Sequence, residues 1–147
     1  MRERDGNLIT LAQEGNFDVI THGCNCFCRM GSGIAPQIKE AFPNAWQADL
    51  ATSKGDFRKL GNYSFGWWNN LTIVNSYTQY SYNAAEKPLD YEALTMCMRK
   101  INHEWSRLTI GLPKIGCGLA GGDWGRVKKI IETELNEMDV IIVNYKK

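Results

Sequence analysis

The sequence carries almost no net charge: 17 basic and 16 acidic side chains leave a formal +1 at neutral pH. A broad nucleic-acid footprint needs a strongly basic surface. Nucleic acid is therefore not an expected partner, and the terminal Lys146-Lys147 pair is too short to alter that. No apolar run approaches the roughly 18 residues of a membrane span. The opening Met1-Arg2-Glu3-Arg4-Asp5-Gly6 has no apolar stretch of the kind a secretory leader carries. Five cysteines are an odd number, and three crowd together at Cys24, Cys26 and Cys28. Such a set speaks against a disulfide framework and for a reducing, cytoplasmic setting. No Gly-Lys-Ser/Thr sequence is present, which excludes a Walker-type phosphate loop. Linkers, repeats and low-complexity stretches are missing as well.

What remains is an ordinary globular composition, with 44% apolar and 22% charged residues over 147 positions. That length suits one domain, expected over 1–147, with enough buried surface for a real core.

Apolar spacing divides the chain into alternating strands and helices. Gly6 to Ala12 reads as a short strand start that turns polar, and Phe17 to Thr21 as a strand. Ser32 to Phe42 has helical spacing through Ile34, Ala35, Ile38 and Ala41, and Pro43 ends it. Asn44 to Ser53 resumes as a helix with Asn44 as its cap. Asn62 to Trp67 and Leu71 to Tyr77 form a hairpin, followed by a loop over Gln79 to Leu89. Asp90 caps a helix running to about Trp105, with Leu94, Met98 and Ile101 on one face. Leu108 to Leu112 is a strand, Asp123 to Met138 a helix, and Val140 to Tyr145 a last strand. This order implies an α/β fold with a largely parallel or mixed sheet and helices on both faces.

Two glycine-rich loops stand between a strand and a helix, Met30-Gly31-Ser32-Gly33-Ile34-Ala35 and Ile115-Gly116-Cys117-Gly118-Leu119-Ala120-Gly121-Gly122. A loop that opens a helix leaves N–H groups unpaired, and the helix dipole adds positive character there. Glycine lets a ligand approach that backbone. Two such loops suit a ligand with two phosphates, or a phosphate flanked by sugars. Gly116-x-Gly118-x-x-Gly121 also spells the dinucleotide fingerprint. However, a Rossmann domain needs further βα units and an acid at the end of the next strand. Here the chain ends after one helix and one strand, and Asp139 precedes that strand instead of ending it.

Three stretches together resemble the macrodomain family, which binds ADP-ribose. They are Gly6-Asn7-Leu8-Ile9; His22-Gly23-Cys24-Asn25 with Met30 to Ala35; and Leu112-Pro113-Lys114-Ile115-Gly116-Cys117-Gly118-Leu119-Ala120. The last two are similar to the branch holding ADP-ribose 1″-phosphate phosphatases and enzymes that release ADP-ribose from carboxylate side chains. The resemblance implies a three-layer α/β/α fold with a central mixed sheet. It implies ADP-ribose or a derivative as ligand, an ADP-ribosylated protein as a further partner, and no cofactor. It also implies a ligand path, with Asn7 and Leu8 at the adenine end. Gly31, Ser32, Gly33, Ile34 and Ala35 would line one side of the diphosphate, and Ile115, Gly116, Cys117, Gly118, Leu119 and Ala120 the other. Gly23, Cys24 and Asn25 would stand near the distal ribose, and Tyr77, Thr78, Gln79 and Tyr80 would wall the pocket.

The departures bear on catalysis. Asn7 replaces the family's commoner aspartate. Related hydrolases use a mid-chain lysine and an aspartate just after the second loop's leucine. Here no lysine lies between Lys59 and Lys87, and Ala120 follows Leu119. Proton transfer is left to His22, whose ordinary pKa suits neutral-pH work, or to Asp123. Each has a plainer reading, His22 as a buried imidazole held by its surroundings and Asp123 as a helix cap. Asn25 can orient a ribose hydroxyl or a water. The Cys24, Cys26, Cys28 and His22 cluster lacks the distant second pair of a zinc site, so no metal is expected. A thiol at a helix-opening loop, as at Cys117, has a route to a lowered pKa.

Overall fold

The computed structural model describes residues 1–146, so Lys147 of the terminal basic pair lies outside the described residues. Six strands form one sheet in the order β1-β6-β5-β2-β4-β3. They are β1 (Arg2–Gly6), β2 (Val19–Cys24), β3 (Tyr63–Trp68), β4 (Leu71–Tyr77), β5 (Thr109–Leu112) and β6 (Asp139–Tyr145). All neighbours run parallel except the β3–β4 hairpin. The sheet is therefore mixed, with helices on both faces, as the alternation of elements implied.

Alternation within the buried strands sorts their side chains between two apolar layers. Val19, Val74, Ile110, Leu112, Val140 and Ile142 face α4 (Tyr91–Glu104) and α5 (Trp124–Glu134). Ile20, Ile73, Ile141 and Val143 face α1 (Leu8–Gln13), α2 (Ala35–Ala41) and α3 (Pro43–Leu50). Leu94, Met98 and Ile101 lie on one face of α4 and are fully buried, as their spacing required.

Several boundaries differ from the sequence reading. The segment after Gly6 is helical, because Asn7 Oδ1 accepts hydrogen bonds from the Ile9 and Thr10 amides and starts α1. The first strand lies earlier, at Arg2–Gly6, and pairs in parallel with β6. Its charged side chains had hidden it, and charge is suited to an exposed sheet edge. Pro43 begins α3, with Phe42 at the cap position. Asn44 instead donates to the Trp67 carbonyl of β3. The first glycine loop reaches Ile34 before α2 begins, and α5 ends at Glu134, four residues short of Met138. No helix among the described residues is long and apolar enough to cross a membrane.

Candidate functional site

The carboxyl ends of β2, β4 and β5 open into one cleft of about 510 Å³, within the size range of small-ligand sites. The two glycine loops form facing walls, contributing Gly31 to Ala35 on one side and Ile115, Gly116, Gly118, Leu119 and Ala120 on the other. Gly23, Cys24 and Asn25 continue from β2 into the floor. Gly116 has φ +73°, and a Cβ there would stand 2.7 Å from Leu89 Cδ1, so backbone freedom and close packing both call for glycine.

The backbone amides of Gly31, Ser32, Gly33 and Ile34 donate to no group among the described residues. The same holds for Gly116, Gly118, Leu119 and Ala120. Two loops with unpaired donors therefore line one cleft, an arrangement suited to an anion. Arg29 and Lys114 add positive charge, and neither forms an ion pair among the described residues. The Arg29 guanidinium lies over the Tyr82 ring at 4.4 Å. Among the described residues no aspartate, glutamate or histidine lines the cleft.

Asn25 sits in the cleft with both ends of its carboxamide engaged. Its Nδ2 donates to the Arg29 carbonyl at 2.9 Å, and its Oδ1 accepts from the Phe27 amide at 2.9 Å. It thereby shapes the turn that presents Arg29. Beneath that turn, Lys59 is buried and donates from Nζ to the Cys26 carbonyl at 3.0 Å.

The proton-transfer candidates lie elsewhere. His22 is fully buried on the α3 side of the sheet, where its Nε2 donates to Asn75 Oδ1 at 2.8 Å. Burial lowers its pKa to about 4 against the raising effect of that bond, so the ring is neutral. From Asn75 a chain of donors runs through Ser64 and the Tyr77 hydroxyl to the buried Asp49 carboxylate. Tyr77, expected to wall the pocket, belongs to this interior chain and is buried. Asp123 is the N-cap of α5, where its Oδ2 accepts from the Arg126 amide at 3.0 Å, outside the cleft lining.

Four expected ligand contacts also lie off the cleft. Leu8 packs into the core beneath α1, and Thr78 is fully buried behind Gly23. Cys117 is half-buried and lines the adjoining groove instead, and burial raises its thiol pKa instead of lowering it, with Asp123 adding to the effect. Burial likewise pushes Cys26 up to about 11 and Cys24 well up. Asn7 spends its oxygen on the α1 cap. A second groove of about 610 Å³ shares Pro113, Lys114 and Gly118 with the cleft. It continues along the ends of β1 and β6 past Asp5, Asn144 and Tyr145. Among the described residues no cluster of His, Cys, Asp and Glu forms a metal site.

Sequence reasoning missed Arg29, Tyr82 and Lys114 as cleft residues. The run Arg29-Met30-Gly31 was a usable signal, since a basic residue beside a glycine loop suits an anion site.

The family model described as Macro domain matches residues 21–131, which include both loops. An uncharacterized 17.5 kDa protein from the tk-vs intergenic region of Enterobacteria phage T4 is 36% identical over 149 residues, covering 95% of this chain and 93% of that protein. The macrodomain of Thermus aquaticus DarG superposes with a TM-score of 0.72 at 23% identity, over 99% of this chain and 97% of that one. Thermosipho africanus DarTG, solved in complex with ADP-ribose, gives a TM-score of 0.72 at 14% identity over 97% of this chain and 41% of its own. At these identities the two solved structures speak to the fold alone.

Proposed function

This chain belongs to the macrodomain family, and from that premise we propose that its cleft binds ADP-ribose and hydrolyses the 1″-phosphate ester of that nucleotide. The observation that carries the proposal is the pair of facing loops, whose unpaired amides match a diphosphate. The adjoining groove past Asn144 and Tyr145 gives the adenosine end a path beyond Lys114. A related fold in Thermosipho africanus DarTG holds ADP-ribose, which supports the same class of ligand here.

What lines the cleft favours the phosphate ester as substrate. Related enzymes that release ADP-ribose from carboxylate side chains use a mid-chain lysine and an aspartate after the second loop's leucine, whereas here no lysine lies between Lys59 and Lys87 and Ala120 follows Leu119. Phosphoryl transfer through a loose transition state depends chiefly on positioning and on positive charge. Arg29, on the turn ordered by Asn25, supplies that charge without a competing carboxylate. Water attacks phosphorus, the bond from phosphorus to the ribose O1″ breaks, and the water's proton passes to that departing oxygen. The products are ADP-ribose and inorganic phosphate.

The lack of a cleft acid or base also favours a second reading, a module that binds ADP-ribose without turnover. Incubation with ADP-ribose 1″-phosphate, and separately with a glutamate-ADP-ribosylated protein, separates the two. Phosphate release from the first and no ADP-ribose from the second is the expected result. Tight ADP-ribose binding by calorimetry with neither product supports the binding module instead.

A further inference from the structure

We propose that Cys28 and Lys59 form an oxidative modification site, in which a peroxide converts the thiol to a sulfenic acid and the lysine nitrogen then closes an S–N (sulfenamide) cross-link. The site is independent of what the cleft binds, because no ligand takes part. Reactive cysteines are partly exposed and lie beside positive charge. Cys28 is half-buried, and Lys59 Nζ lies 3.7 Å from its sulfur. The other four lack that combination. Cys24, Cys26 and Cys97 are buried. Burial pushes the Cys26 thiol up to about 11 and the Cys97 thiol up to about 12, away from the thiolate that peroxide attacks. Cys117 is half-buried, but among the described residues its sulfur has the Ile115 carbonyl as its polar contact and no amine.

Both partners are held in place. Cys28 has φ +55°, a backbone conformation that residues with a side chain rarely adopt. Its sulfur lies 3.3 Å from the Asp49 carbonyl, 3.5 Å from the Thr52 hydroxyl and 3.9 Å from the Thr52 carbonyl. Lys59 ends the short helical turn Phe57–Lys59. Its buried Nζ donates to the Cys26 carbonyl at 3.0 Å, which also accepts the Gly55 amide and so joins the two segments. The remaining neighbours of Nζ are soft, the Cys28 sulfur and the Tyr77 ring at 4.7 Å. No carboxylate forms an ion pair with it among the described residues. A buried ammonium without such a partner is costly, and the cross-link removes its charge.

Hydrogen peroxide balances the chemistry. The Cys28 sulfur attacks one peroxide oxygen, the O–O bond breaks, and sulfur is oxidised to the sulfenic acid while the peroxide is reduced to water. The Lys59 nitrogen then attacks sulfur. The S–N bond forms, the S–O bond breaks, and the departing hydroxide leaves as water with one ammonium proton. A second proton passes to solvent. Closing the contact draws Cys28, and with it the neighbouring Arg29, toward Lys59.

Peptide mapping of the full chain tests the site. The reduced protein is treated with hydrogen peroxide, its remaining free thiols are alkylated, and it is digested with trypsin without reductant. Wild type should lose cleavage after Lys59. It should yield a peptide joining Cys28 to Lys59, two hydrogens lighter than the sum of its parts, which a thiol reductant separates. Lys59→Arg keeps the positive charge but should give no such peptide, leaving a Cys28 sulfenic acid that dimedone traps. If that variant does not melt as a folded protein, Cys28→Ser takes its place and should likewise lose the cross-link. A joined peptide that persists in either variant would be a disulfide and would overturn the proposal. So would wild type in which Cys28 stays a thiol, or is oxidised while Lys59 remains free.

Discussion

The His22 Nε2 lies 2.8 Å from Asn75 Oδ1 with both side chains fully buried, so the imidazole is an internal donor and not a cleft acid. Its folded pKa of about 4 lies below the ordinary 6.5. The unfolded chain therefore binds a proton between those values that the folded chain refuses. Stability from this residue is complete above pH 6.5 and is lost as the pH falls toward 4, on the order of 3 kcal/mol in full. Asp49 acts oppositely, because burial raises its pKa and stabilises the folded state as the pH falls. Urea unfolding of wild type and His22→Gln at pH 7, 6 and 5 isolates the histidine. Wild type should lose more stability than the variant between pH 7 and 5. A stability difference that does not change with pH would show that His22 is not held neutral.

The burial of His22 was legible in the sequence. Strand alternation puts His22 on the face of Ile20, which packs under α1 and α3. The glycine loops were readable because their chemistry is local, a strand end followed at once by a helix start. The charged β1 was not, since its partner β6 lies at the opposite end of the chain and no apolar alternation marks it. Gln79 entered the sequence reading only as part of a wall. Its place in the cleft depends on backbone pairing with Leu89 and on the Tyr80 bond to Cys26, neither of which leaves a local pattern.

Gly116 and Gly118, two residues apart in the second loop, should respond differently to substitution. A Cβ on Gly116 meets Leu89 at 2.7 Å on a backbone at φ +73°, whereas one on Gly118 meets nothing within 4 Å. Gly116→Ala should cost about 1–3 kcal/mol through strain and overpacking. Gly118→Val should leave the melting temperature nearly unchanged, yet weaken ADP-ribose by tenfold or more by filling the cleft it lines. Melting and calorimetry on the two variants check the pair, and a Gly118→Val protein that binds normally would remove this loop from the ligand path.

Asp123 should matter for stability and not for the ligand. Its carboxylate accepts from the Arg126 amide at the start of α5. Asp123→Ala should lose about 1 kcal/mol, a fall of roughly 3 °C in melting temperature, while ADP-ribose affinity and phosphate release stay within about twofold. A large loss of turnover at unchanged affinity would return Asp123 to the chemistry.

Thr78 offers a test in the stabilising direction. Its hydroxyl is fully buried and finds no partner among the described residues, and a Cβ built on Gly23 would stand 2.8 Å from Oγ1. The hydroxyl thus lies directly under the cleft floor but is sealed from it. An unpaired buried hydroxyl costs about 1–3 kcal/mol relative to one left in water. Valine keeps the branched shape without the polar atom. Thr78→Val should therefore raise the melting temperature by a few degrees and leave ADP-ribose affinity unchanged. A lowered melting temperature would mean that the hydroxyl has a partner, such as a bound water. Weakened binding at normal stability would mean that the floor opens and lets the ligand reach it.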